Sequence, residues 1–245
     1  MNPTILSLFC AALFLVSILY SCVGQTGASG YIAAMALFGL APGTIKPTAL
    51  VLNVLVSALV AFRFFRAGHL DWRTFWPLAI ASAPAALLGG YLTLPPLFFN
   101  RLLGTLLVLA APPLFFRKDF AETATHPPGP VAASLAGSGI GLVSGLTGVG
   151  GGVLITPILL YCRWATGKRA AAISAVFILL NSIAALAGHF SATHNLPAGL
   201  PLFALSALAG GAIGSHMGSV HLSNLAIYRI LGAILLLAGL NLCFT

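Results

Sequence analysis

The sequence predicts an all-α, polytopic helical membrane protein, and three observations lead to this fold class. Of the 245 residues, 59% are hydrophobic and only 6% are charged, whereas a soluble domain carries roughly 25% charged residues. Apolar runs of about 15 to 20 residues recur along the chain, the length that a helix needs to cross a bilayer. A closed β-barrel would instead show alternating apolar and polar residues. This composition excludes a soluble enzyme.

The apolar runs form two sets of five predicted segments. The first set lies at 4–23, 27–42, 47–66, 74–93 and 101–117, and the second at 131–146, 148–162, 170–190, 197–217 and 224–244. We interpret 4–23 as a retained membrane segment rather than a signal peptide, because no Lys or Arg precedes Lys46. The polar stretch between the sets ends in Pro127-Pro128-Gly129-Pro130, which stiffens it as a linker. The predicted organisation is therefore a first transmembrane repeat (1–117), a cytoplasmic linker (118–130) and a second transmembrane repeat (131–245).

Three matched stretches indicate that the second set duplicates the first. They occur in the same order in both halves: G-x-T-G-x-x-G at 24–30 and 145–151, A-x-x-A-L-x-G-G at 83–90 and 204–211, and an Arg-led apolar run at 101–110 and 229–238. Because each half holds an odd number of segments, the second half enters the membrane from the opposite side. The sequence thus predicts two inverted repeats, an arrangement that is typical of secondary transporters.

The basic residues support this topology. One predicted side carries Arg63, Arg66, Arg73, Arg117, Lys118, Arg163, Lys168, Arg169 and Arg229, and the other carries Lys46 and Arg101. Cytoplasmic loops are the ones enriched in Lys and Arg. We therefore expect a multi-pass protein of the bacterial inner membrane with both termini in the periplasm. The net charge of +8 is explained by this orientation and does not call for a nucleic-acid partner.

Glycine-rich segments near the start of each half are the candidate ligand site. Continuous helix is improbable through 145–152, because each glycine costs about 1 kcal/mol relative to alanine in a helix interior. A broken helix at membrane depth exposes backbone N–H groups that bind anions. The predicted substrate-binding residues of the two segments are Gln25, Thr26, Gly27, Ser29, Thr147, Gly148, Gly150, Gly151 and Gly152. Close helix packing is the alternative for these glycines, and it is the favoured interpretation for Gly89-Gly90 and Gly210-Gly211.

Few other polar residues lie within the predicted spans. Asn53 and Asn181 occupy the middle of the third segment of each half, where an amide can contact an anion or bond across helices. Ser57, Ser174 and Ser182 are set aside because their hydroxyls can bond to their own helix. The three carboxylates, Asp71, Asp119 and Glu122, fall in loops, and no catalytic or metal-binding motif occurs in the spans. We therefore predict no enzymatic activity, no catalytic residue, no metal and no cofactor.

The second glycine motif, Gly145-Leu146-Thr147-Gly148-Val149-Gly150-Gly151-Gly152 followed by Pro157, resembles the signature of the TauE/SafE sulfite exporter family. Residues 68–73, Gly-His-Leu-Asp-Trp-Arg, resemble a loop of that family after the third segment. The first half departs from the pattern, with Ser29 and Tyr31 flanking Gly30. The resemblance implies a permease that exports a small anion, such as sulfite, an organosulfonate or a carboxylate.

Two other functions stay open at this point, a permease for a different polar solute and a structural subunit of a membrane complex that transports nothing. The expected partners are the small anion and the lipid bilayer. A homo-oligomer is compatible with the sequence, which fixes no oligomeric state.

Overall fold

A computed structural model describes residues 3–92, 104–105, 108, 111–112, 125–189 and 196–244. Within these ranges the chain forms helices and no β-strand. The helices are α1 (Pro3–Ser21), α2 (Ala28–Leu37), α3 (Pro42–Arg66), α4 (Trp72–Tyr91), α5 (Pro130–Thr147), α6 (Gly152–Tyr161), α7 (Gly167–Gly188), α8 (Leu200–His216) and α9 (Asn224–Phe244), with a π-helical turn at Met217–His221 after α8. The all-helical prediction is confirmed for these residues. The predicted segment at 101–117 lies mostly outside them.

Five described helices are long and apolar enough to cross a membrane. They are Pro3–Ser21, Gly43–Arg66, Pro130–Thr147, Gly167–Gly188 and Leu200–His221, the last of which includes the π-helical turn. By contrast, α2 and α6 have 10 residues each. At about 1.5 Å per residue such a helix is about 15 Å long, half of the hydrocarbon thickness. Each short helix follows a glycine-containing turn.

The predicted segments 27–42 and 148–162 are longer than the helices that the structure has there, α2 and α6. The helix α6 begins at Gly152, because Gly148, Gly150 and Gly151 all have positive φ angles, of 77°, 78° and 77°. A right-handed helix cannot continue through such residues. The longer predicted segments agree with the observed helices to within a few residues at each end.

Helices of one half pack mainly against helices of the other half. The helix α4 lies along α5 and α7, the helix α1 lies along α8, and α3 contacts α7 and α8. Glycines on α5 face backbone carbonyls of α4: a Cβ on Gly137, Gly141 or Gly145 would collide with the carbonyl oxygen of Leu78, Ser82 or Ala86, respectively. The close approach of α4 and α5 therefore depends on residues that have no side chain.

The contact between α1 and α8 is built in the same way. A Cβ on Gly210, Gly214 or Gly218 would collide with the carbonyl oxygen of Phe14, Ile18 or Cys22, respectively. The predicted packing pairs lie at such contacts. Gly89 faces the backbone of α5, Gly90 the carbonyl of Ala185 and Gly210 the backbone of α1, while Gly211 lies between α3 and α1. In lipid, where no hydrophobic effect drives helices together, such van der Waals contact is a main source of association.

We expect Gly141→Ala to destabilise the protein and Gly139→Ala to leave it unchanged or slightly more stable. A Cβ at position 141 overlaps the Ser82 carbonyl, whereas a Cβ at position 139, two residues away on the same helix, meets nothing within 4 Å. Overpacking of this kind typically costs about 1–3 kcal/mol. Thermal unfolding in detergent, followed by tryptophan fluorescence, measures both variants. Equal melting temperatures for the two would contradict the packing described for α4 and α5.

Candidate functional site

Two interruptions of the helical backbone lie next to each other in the structure. The first, residues 22–27 between α1 and α2, contains Gly24 and Gly27 with φ angles of 76° and 95°. The second, residues 148–151 between α5 and α6, contains the three glycines with positive φ described above. Side-chain-bearing residues rarely adopt these φ values. We refer to the two as the first break and the second break.

Asn53, from the middle of α3, connects the two breaks. Its amide oxygen accepts a hydrogen bond from the Thr26 hydroxyl at 2.6 Å, and its amide nitrogen donates to the Gly148 carbonyl at 3.1 Å. The Asn53 side chain is fully buried. A Cβ on Gly152 would lie 3.7 Å from Cγ of Gln25, so the start of α6 also borders the first break. Residues far apart in sequence thus form one polar region.

The helix α7 covers the second break. A Cβ on Gly150 would lie 2.7 Å from Cγ2 of Ile178, 3.1 Å from the Ser182 hydroxyl and 3.2 Å from the Asn53 amide nitrogen. A Cβ on Gly151 would lie 3.1 Å from the Phe177 ring and 3.3 Å from Cβ of Ser144. The space beside Gly150 is therefore bordered by two polar groups and one apolar side chain.

Several buried polar side chains at the breaks and on the helices beside them have no hydrogen-bond partner. They include both amide atoms of Gln25, both amide atoms of Asn181, and the hydroxyls of Ser144 and Ser182. Gln25 is 1% exposed, and the other three are 0% exposed. Leaving one such group unpaired costs roughly 1–3 kcal/mol, and nearly all buried polar groups in proteins are paired. A concentration of unpaired groups at one place is what a binding site for a polar ligand requires.

The predicted site residues do not all contribute to this region. Gln25, Thr26, Asn53, Gly148, Gly150 and Gly152 come together, Gly151 lies beside Ser144, and Asn181 is on the covering helix next to Ser182. The Thr147 hydroxyl instead donates to the Val143 carbonyl at 2.7 Å and accepts from the Val149 N–H at 3.2 Å. The Ser29 hydroxyl is paired with the Tyr20 hydroxyl at 2.8 Å, and Gly27 packs against Val16 and Tyr31.

Three further residues belong to the region and were not among the predicted site residues. Ser182 was set aside on the expectation that its hydroxyl bonds to its own helix, which is wrong, because the hydroxyl has no partner. That expectation does hold for Ser57, which donates to the Asn53 carbonyl. Ser144 is a polar residue inside the glycine-rich segment, and this position could have identified it from the sequence. Lys46 was counted only as an orienting charge, although its side chain contacts Gly148.

The charge balance of the region is positive. The breaks offer neutral amide and hydroxyl donors, together with the N-terminus of α6, where the first N–H groups lack acceptors within the helix and the helix dipole is positive. Within the described ranges Asp71 is the one carboxylate. It caps α4, accepting from the Arg73 N–H and the Thr74 hydroxyl at 3.0 Å each. The described residues contain no group of three His, Cys, Asp or Glu that could hold a metal ion.

His189, which follows α7, adds a titratable group near the second break. Its pKa is lowered, first by burial and then by the nearby Lys46 ammonium, while a hydrogen bond to the Gly90 backbone acts in the opposite direction. The imidazole is therefore held neutral to a lower pH than a free histidine.

Several apolar helices long enough to cross a membrane, packed around buried polar side chains, are typical of membrane transporters. The family model described as Sulfite exporter TauE/SafE matches residues 9–242, and the chain belongs to this family. It is 44% identical over 236 residues to a probable membrane transporter protein of Sinorhizobium fredii, covering 94% of this chain and 95% of the relative. It is 28% identical over 190 residues to a probable membrane transporter protein of Methanocaldococcus jannaschii, covering 73% of this chain and 70% of that relative. No solved structure matches the chain.

Proposed function

We propose that this protein is a permease that exports a small sulfur-containing or carboxylated anion, such as sulfite or an organosulfonate, across the bacterial inner membrane. The observation that carries the proposal is the set of buried, unpartnered donors at the two breaks and on the helices beside them: Gln25, Ser144, Asn181 and Ser182. Membership of a family described as sulfite exporters supports the choice of substrate class.

The chemistry of the region favours an anion over a cation. Oxyanions accept several hydrogen bonds at once, and the amides of Gln25 and Asn181 and the hydroxyls of Ser144 and Ser182 can donate to them. The N-terminus of α6 adds backbone N–H groups and a positive dipole end. A buried cation site would instead require carboxylates, and the described residues bring none to the breaks.

The helix pairing supports an inverted repeat. If the two halves are related by a two-fold axis in the membrane plane, the contact between the fourth helix of one half and the first helix of the other must occur twice. Both occur, as α4 with α5 and α1 with α8, and both are made by glycines spaced four residues apart. The third helices, α3 and α7, contact each other. Such a contact is expected for symmetry-related helices that lie next to the two-fold axis. Under this proposal the two breaks lie where the repeats meet, the position of substrate sites in secondary transporters that have inverted repeats.

We expect a reporter fused near Thr123 to lie in the cytoplasm and a reporter fused after Thr245 to lie in the periplasm. The reason is the excess of Lys and Arg on the side of the predicted linker. Alkaline phosphatase, which is active only in the periplasm, and a green fluorescent protein, which fluoresces only in the cytoplasm, give opposite signals at the two positions. Both fusions reporting the same side would remove the inverted-repeat model.

We expect export to follow the membrane potential without an obligatory proton. Proton-coupled carriers usually hold an ionisable group inside the membrane, and the predicted spans contain no carboxylate. Moving one negative charge out of a negative-inside cell releases about 2.3 kcal/mol per 100 mV. In proteoliposomes with sulfite inside, an inside-negative potential set by potassium and valinomycin at constant pH should accelerate efflux. Efflux that follows a pH gradient and ignores this potential would contradict the expectation.

Anion-dependent stabilisation tests whether the protein binds its proposed substrate class at all. A ligand at about 100 times its Kd stabilises the folded state by about 2.7 kcal/mol. We expect the melting temperature of the purified protein to rise in sulfite or an organosulfonate, compared with chloride at equal ionic strength. A structural subunit would show no such rise with any anion, and a carrier of another polar solute would respond to that solute instead.

A further inference from the structure

Lys46, in the first turns of α3, contacts the second break directly. A Cβ on Gly148 would lie 3.1 Å from Cγ of Lys46 and 3.6 Å from its carbonyl oxygen. Asn53, seven residues further along α3, donates to the Gly148 carbonyl. Positions seven apart lie on the same face of a helix, about 10 Å from each other along its axis. Lys46 and Asn53 therefore flank Gly148 from one face of α3.

The Lys46 ammonium has no counter-ion in the described part of the chain. Asp71 is the one carboxylate there, and it caps α4 beyond the far end of α3. Lys46 and Arg66, the last residue of α3, are separated by twenty residues of helix, or about 30 Å. Lys46 is only partly exposed, and a charge that is partly removed from water without a partner is costly.

The neighbours of Lys46 do not offset its charge. His189 is close enough for its titration to be affected by the ammonium, and the Gly148 loop lies against the Lys46 side chain. Neither an imidazole nor an amide supplies negative charge. The described residues therefore supply the Lys46 ammonium with no negative charge.

We infer that Lys46 is the charge-selecting residue of this permease, and that its ammonium forms the counter-ion of the transported anion beside the second break. The inference rests on the proposed function and extends it from a set of neutral donors to a defined source of charge selectivity. The donors at the breaks bind oxygen atoms whether or not the solute is charged. The ammonium distinguishes a sulfite or sulfonate ion from a neutral solute of the same shape, because only the ion gains Coulomb attraction.

Replacement of Lys46 tests the inference in proteoliposomes. We expect Lys46→Gln to raise the KM for sulfite efflux by about tenfold, the usual scale for losing one charge-assisted contact. Lys46→Arg should keep a KM near that of the wild type. Arg66→Gln is the matched control, because it removes a positive charge from the opposite end of the same helix. Raising the ionic strength should weaken wild-type efflux more than efflux by Lys46→Gln.

A second variant separates charge from folding. Lys46→Cys is treated with a thiosulfonate reagent that adds either an aminoethyl group or a neutral methyl group, with the wild type treated identically because it contains other free cysteines. We expect the aminoethyl group to lower the KM for an organosulfonate toward the wild-type value and the methyl group to have no such effect. The organosulfonate replaces sulfite in this arm, because sulfite would cleave the mixed disulfide that carries either group. Equal KM values for wild type and Lys46→Gln, or equal effects of the two reagents, would overturn the role of Lys46. Neither result would contradict the proposed function as a permease. Failure of the wild type to move any of these anions would overturn the proposed function itself.

Discussion

Replacing Gly150 by leucine is expected to abolish transport while the protein still inserts into the membrane. A Cβ at this position already comes within 2.7 Å of Ile178 and 3.1 Å of the Ser182 hydroxyl, and the rest of a leucine side chain would fill the space between the two breaks. The φ angle of 78° adds backbone strain. We expect sulfite efflux to fall by at least about a hundredfold, because a shift of about 1 Å in the groups of a site can already reduce a rate by that factor. Gly151→Leu should act in the same way.

Gly68→Leu is the matched control for Gly150→Leu. Gly68 has almost the same backbone conformation, with a φ of 75°, but a Cβ there meets nothing within 4 Å. Both variants therefore carry the strain of a leucine in the left-handed region, and only Gly150→Leu blocks the site. Efflux and membrane content of the two are compared in the same vesicles. Normal efflux by Gly150→Leu, or an equal loss in both variants, would show that the glycine serves the backbone and not the substrate.

Asn181→Asp is expected to have an equally large effect for an electrostatic reason. The substitution preserves the shape of a fully buried side chain whose two amide atoms have no partner, but it replaces a donor by a group that repels an anion when ionised. At alkaline pH we expect efflux of an organosulfonate to be lost. Burial raises the pKa of such a carboxyl, so activity should return as the pH falls and the group becomes neutral.

The pH dependence provides the internal control for this variant. An organosulfonate stays ionised over the range tested, so recovery reports the protein and not the substrate. The wild type should show no comparable rise toward acid pH. Alkaline-pH efflux by Asn181→Asp at the wild-type rate would contradict an anion at this position, and faster uptake of a cation would indicate the opposite charge preference.

The helical elements could be predicted from the sequence because their causes are local. Apolar length fixed the long helices, and clustered glycines marked the second break, where three left-handed residues separate α5 from α6. The weaker first motif also indicated a real difference between the halves. Gly30, flanked by Ser29 and Tyr31, lies inside α2, whereas its counterpart Gly151 is left-handed and precedes α6.

The site could be predicted only in part, because its contacts join distant segments. Nothing near Asn53 in the sequence indicates that its amide binds both Thr26 and Gly148. A hydroxyl within a span can bond to its own helix or face a ligand, and the pattern of residues does not distinguish the two. Thr147 makes the first kind of contact, whereas the Ser182 hydroxyl has no partner in the structure. Lys46 became a candidate only when the fold placed it against Gly148.

The central claim is that the two breaks form the binding site for the transported anion. The most direct test is an experimental structure of the purified protein with selenite, an analogue of sulfite whose selenium is located by anomalous scattering. We expect a selenium peak between the breaks, with the selenite oxygens within hydrogen-bond distance of the Gln25 or Asn181 amide or the Ser182 hydroxyl. A protein that transports selenite but shows the peak only elsewhere, for example in the basic groove lined by Arg63, Arg66 and His216, would contradict it.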